Sequence, residues 1–261
     1  MKKAFLLTLL SILLLVSCKN KSFTITGDLQ GGENKVVWIE ELSPQGAIFI
    51  DSIHTDSIGH FTYKYTSPYH TLYNIHTSEN NYIVLLPNNG ENIKINGDWN
   101  NLSATYTVFG SDESQLLWQL QEMSNNGNRQ LLRLIDTMQK YEVARSKGQI
   151  GEATYNAKKE HCDSIYISSF QTQQDFITDF ISTNKGSLAT IIALYKPFNQ
   201  RMIIDQRQPY SISYYTQVLE GLEETMPDNP HTIHFAKTVE QLRLAHKRES
   251  TMSDNIQQQG Q

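Results

Sequence analysis

Phe61-Thr62-Tyr63-Lys64-Tyr65 decides the fold class of the N-terminal half. Side chains alternate across a strand, so Phe61, Tyr63 and Tyr65 share one face while Thr62 and Lys64 mark the opposite, wetter one. Aromatic and β-branched residues suit such a half-buried pleated surface. The same period of two recurs outward in both directions, over 23–27, 35–39, 48–53, 72–76, 82–86, 92–96 and 105–109. Turn chemistry separates the runs: Gly31-Gly32, Pro44-Gln45-Gly46, Gly59, Pro68, Asn88-Asn89-Gly90 and Gly97-Asp98. Short strands at this spacing predict an antiparallel β-sandwich or open barrel over 23–110.

After Ser111 the period changes. Leu116, Leu117, Leu120 and Met123 recur at helical spacing, as do Leu131, Leu134, Ile135, Met138 and Tyr141. Ser111-Asp112-Glu113-Ser114 offers a cap, with acids where the helix dipole favours them. Further helices are expected at 152–183, 187–195, 211–225 and 231–247; prolines at 197, 227 and 230 punctuate them. The Gln-rich stretch 248–261 is polar enough to predict a disordered tail. The expected class is α+β, a β-sandwich or open barrel followed by an all-helical domain over 111–247.

The N-terminus carries a different signal. Lys2 and Lys3 precede an almost wholly apolar run from Ala4 to Val16. That run is short of the roughly 20 residues a membrane span needs, but it suits the core of a signal peptide over 1–17. It leads into Leu15-Val16-Ser17-Cys18, which resembles the lipobox of bacterial lipoproteins. The chemistry needs a thiol as acceptor of the diacylglyceryl group and a small residue before the cut. Two or more acyl chains on Cys18 anchor a protein stably, at about 0.8 kcal/mol per buried methylene. The tether from Lys19 to Ser22 reaches roughly 15 Å, which keeps the folded body close to the bilayer. Lys19 stands where an aspartate signals inner-membrane retention in lipoprotein families, so the resemblance implies an outer membrane, facing the periplasm.

Composition excludes some functions. The formal charge is −5, and it becomes more negative once Lys2 and Lys3 are removed, so there is no basic footprint for nucleic acid. The second cysteine, Cys162, has no intramolecular partner once Cys18 is acylated, and no Cys-x-x-Cys occurs. Neither a metal nor an organic cofactor is expected.

A family resemblance rests on Phe23-x-Ile25-x-Gly27, Ile50-Asp51-Ser52, Gly59-x-Phe61, and Asn89-Gly90 leading into Ile93-x-Ile95-x-Gly97, closed by Gly110-Ser111. In that order these resemble a domain of unknown function in bacterial envelope proteins. There it precedes a helical stretch and a thioredoxin-like domain. The likeness covers about 22–110, and more weakly the helices to about 245. It implies an envelope setting and, as a partner, a thioredoxin-like oxidoreductase. Redox activity is not carried over, because the sequence has no Trp-Cys-x-x-Cys.

Candidate chemistry is sparse. Asp51, Ser52 and His54 bring acid, nucleophile and base types together, but strand alternation puts Ser52 and His54 on one face and Asp51 on the other. His231 and His234 stand three apart at a helix start, which is short of the three or four ligands a metal site requires. Cys162 falls on the inward stripe of its helix, where an inert thiol is the rule. Trp38 and Trp99 are the candidate ligand-stacking residues among many aromatics that otherwise serve the core. The sequence thus predicts a non-enzymatic binding or scaffolding lipoprotein. Alternatives are a glycan- or peptide-binding sandwich lipoprotein and a hydrolase.

Overall fold

The structure is a computed structural model that describes residues 22–259. The signal peptide and Cys18 lie outside the described residues. Eight strands come first: β1 (Phe23–Gln30), β2 (Val36–Ser43), β3 (Gly46–His54), β4 (His60–Tyr65), β5 (Leu72–Ser78), β6 (Asn81–Leu85), β7 (Asn92–Asp98) and β8 (Thr107–Phe109). They form two four-stranded sheets, sheet A in the order β4-β1-β7-β8 and sheet B in the order β3-β2-β5-β6. The class is α+β, with sandwich-like open sheets followed by a mostly helical region.

The sandwich core forms because each strand sends alternate side chains inward. Phe23, Ile25, Phe61, Tyr63, Ile93 and Ile95 come from sheet A, and Val37, Ile39, Tyr73, Ile75, Ile83 and Leu85 from sheet B. Gly27 continues the inward row of β1 without a side chain because the Phe61 ring fills that space. A Cβ there would sit 1.9 Å from Phe61 Cε1. One pairing departs from the antiparallel expectation, since β1 and β7 run parallel. β1 is an inner strand to which both β4, after the β2–β3 excursion into sheet B, and the late β7 return, and a strand's neighbour is not written in its local pattern.

After a 3-10 turn at Trp99–Asn101 and the short α1 (Leu102–Thr105) come α2 (Asp112–Ser146), α3 (Glu152–Thr183), α4 (Ala189–Leu194), α5 (Ser211–Thr225) and α6 (Pro230–Gln259). The Ser111 hydroxyl caps α2 by accepting from the Ser114 N–H at 3.2 Å. The two helical stretches expected between 116 and 141 are one continuous helix. The region is not wholly helical either: β9 (Pro197–Phe198) and β10 (Arg201–Met202) make a two-residue hairpin. A further correction concerns the polar end. The backbone of α6 remains helical through Gln259, past the expected helix end at Lys247, because Arg, Glu, Met and Gln are good helix formers even without an apolar stripe.

The helices form a third layer. Leu42, Leu72, Val84 and Leu86 alternate with inward residues of sheet B and therefore point outward, and all four pack against the helical core of Leu117, Leu120, Ile177, Ile181, Leu222 and Val239. The Leu86 N–H donates to the Ser114 hydroxyl at 3.0 Å. Helices thus cover one end of the outer face of sheet B and leave the other end open.

Candidate functional site

The open end is built by strand register. Trp38 lies between the buried Val37 and Ile39, and His76 between the buried Ile75 and Thr77, so both project outward. Across the strands Ser52, Trp38, His76 and Tyr82 form one row, and Phe49, Glu40, Asn74 and Val84 form the next. A β-bulge between Ile39 and Glu40 shifts β3 so that Phe49, rather than Ile50, faces Glu40. The Trp38 and His76 rings lie 5.7 Å apart, tilted by 36°. Tyr82 and Phe49 are exposed, at 47% and 61%.

The polar groups within this aromatic frame are only partly matched. The Asn74 amide nitrogen donates to Glu40 Oε2 at 3.2 Å. A carboxylate only accepts, so Asn74 must turn its NH2 that way, and its Oδ1 is left without a partner. His76 Nε2 is likewise unpartnered, 3.7 Å from Glu40 Oε1 and too far for a hydrogen bond. A buried polar atom without a bond costs about 1–3 kcal/mol.

The two tryptophans expected to serve together are separated by the fold. Trp38 stands on this outer face. Trp99 packs against the sandwich core, with Lys35 Nζ 5.1 Å from its ring centroid. Trp99 is half-buried there, because the 3-10 turn after Asp98 folds its ring back over Gly32. Cys18 lies outside the described residues.

The remaining candidates come apart in space. Asp51 Oδ1 accepts the Ser52 backbone N–H at 2.8 Å, which orients no histidine. His231 is buried and meets Thr71 Oγ1 at 2.7 Å across the junction between sheet B and α6, whereas His234 is exposed. Burial, with His70 and His234 nearby, holds the His231 imidazole down at about 4. Among the described residues no group of three or more His, Cys, Asp or Glu is placed to hold a metal ion. Cys162 is buried between α2 and α3, beside Leu134, Met138 and Tyr166.

Sequence reasoning missed Glu40 and Asn74. Alternation around Tyr73 and Ile75 marks Asn74 and His76 as outward, but only the register of β2 against β5 brings them beside Glu40 and Trp38. Comparison with known proteins finds no matching family model, curated protein or solved structure. No helix among the described residues is long and apolar enough to cross a membrane.

Proposed function

We propose that this chain is a lipid-anchored, non-catalytic binding module of the cell envelope, tethered through Cys18 and using the open end of sheet B as its binding surface. The observation that carries the reading is that surface. Half-exposed aromatic rings frame a carboxylate, an amide and an imidazole, two of which have unmet hydrogen bonds. Aromatic rims with a few convergent polar groups suit ligand recognition. Ser52 stands at the end of the Trp38–His76–Tyr82 row, but Asp51 accepts its backbone N–H rather than orienting a histidine toward its hydroxyl. Attachment rests on the Leu15-Val16-Ser17-Cys18 signal, and an outer-membrane, periplasm-facing position rests on Lys19.

A protein partner is favoured by a separate observation. β3 is a nine-residue edge strand without proline or lysine, and its Ile48 and Phe49 are exposed. Such edges add strands from other chains. The thioredoxin-like oxidoreductase implied by the family resemblance is the partner we propose for it.

Metabolic labelling with a palmitate analogue tests the anchor. Label is expected on the wild type and absent from Cys18→Ala, which moves from the membrane fraction to the soluble one. Wild-type protein without label overturns the reading.

A further inference from the structure

We propose that the row Trp38–His76–Tyr82, with Glu40 and Asn74 beneath it, is a binding site for a neutral oligosaccharide. The assignment rests on the reading above that this face is the binding surface, and it names the ligand class.

The shape of this face suits a chain of sugar rings. Trp38 and Tyr82 flank His76 in one cross-strand row and sit two strands apart, about 10 Å at the usual strand spacing. A sugar ring presents an apolar C–H face to an aromatic ring while its hydroxyls project around the rim. Two rings separated by a polar group therefore accommodate consecutive sugar units better than one extended apolar chain. The covered end of the sheet limits the platform. Val84 already packs against the helical core, so a ligand running along the Trp38–Tyr82 row has a helical wall on one side.

The polar groups of the face match hydroxyls. Glu40 only accepts, Asn74 Oδ1 only accepts, and His76 Nε2 does either according to its tautomer. The Ser52 hydroxyl at the end of the row does both. A hydroxyl group is donor and acceptor together and can meet each of these. A phosphate or carboxylate ligand offers acceptors to a surface already rich in them, next to the Glu40 charge. A purely apolar ligand leaves Asn74 Oδ1 and His76 Nε2 as unmet as they are in the free chain. Those two atoms are sealed beneath the surface, so binding requires small side-chain rotations of Asn74 and His76 that turn them toward the ligand.

The chain carries a negative formal charge. It disfavours polyanionic glycans over neutral ones at this face.

The test uses the purified full chain in detergent. It is titrated calorimetrically with hexaoses of β1,4-glucose, β1,3-glucose, α1,4-glucose and β1,4-N-acetylglucosamine, and with oligogalacturonate as the anionic comparison. At least one neutral hexaose is expected to bind with Kd below about 1 mM. Trp38→Ala should weaken that binding at least tenfold and Glu40→Gln several-fold. Tyr82→Ala, whose exposed ring leaves the core intact, should also weaken it several-fold and guards against misfolding of the first variant. Phe109→Ala, an exposed aromatic on sheet A, should leave it unchanged. The proposal is overturned by no binding of any neutral hexaose, by preference for oligogalacturonate, or by equal affinity in Trp38→Ala and Tyr82→Ala. Palmitate labelling of the same preparation separates the failures. Labelled Cys18 without sugar binding removes only the ligand class, whereas unlabelled Cys18 removes the anchored module itself.

Discussion

The sandwich and the far half of the α2–α3 hairpin are both made of regular elements, yet they hold together by different means. In the sandwich, inward residues of two sheets meet and nearly every alternate position is sealed, with Phe23, Ile25, Val37, Ile39, Tyr73 and Leu85 all fully buried. In the hairpin, from Asn128 to Ser169, Cys162 alone is buried. Leu132, Ile135 and Ile167 remain exposed. The lesson is about layers. A sheet face or a helix stripe gains stability only from an apposed surface, and beyond Gly127 each of these two helices has little but the other. Ion pairs such as Lys140–Asp136 and Lys159–Asp163 decorate the far half, but solvent screens exposed pairs of this kind and they contribute little.

The largest effect expected from this contrast is in the sandwich. Phe23→Ala removes a fully buried ring that touches Tyr65 and Tyr73, and should destabilise the chain by about 3–5 kcal/mol in urea unfolding. A loss below about 1 kcal/mol would mean that the two sheets are not tightly apposed.

Between the extremes lies the junction, where His231 meets Thr71. Its folded value near 4 lies below the 6.5 of a free imidazole, so the folded chain binds fewer protons than the unfolded one as pH falls. Above about pH 6.5 both forms are neutral and nothing is lost. Stability then declines as pH drops from 6.5 to 4, by roughly 3 kcal/mol in all. His231→Gln should flatten that slope while keeping a polar partner for Thr71; an unchanged slope in unfolding measured across this range refutes the assignment.

The smallest effect belongs to the far hairpin. Cys162→Ala should cost about 1 kcal/mol or less, since few layers surround the thiol. Amides of 128–169 should exchange with solvent before those of β1 and β2 in a hydrogen-exchange experiment. Equal protection in the two regions would show that something covers the hairpin in solution.

Much of this contrast was legible in the residues. Period two located all eight strands of the sandwich, and the helices at 152–183 and 211–225 begin and end where their apolar spacing does. The capping hydroxyl of Ser111 was readable because it precedes two acids and an apolar stripe. What could not be read was pairing. The parallel partnership of β1 with β7 joins segments far apart in the chain, and the contact of Thr71 with His231 spans 160 positions. The candidate site divides in the same way. The outward direction of Trp38 follows from Val37 and Ile39 beside it, but its company depends on register. Trp99 follows a strand end, where alternation no longer says which way a ring turns.

The outward leucines of sheet B have a practical consequence. Leu72 and Leu86 are buried in a core supplied mainly by the helical region, so the sequence boundary at Gly110 runs through a packed wall rather than a hinge. A fragment ended there would carry a greasy scar on its sheet and pull in whatever hydrophobic surface it met. The strands and helices are best expressed, moved or swapped as one piece.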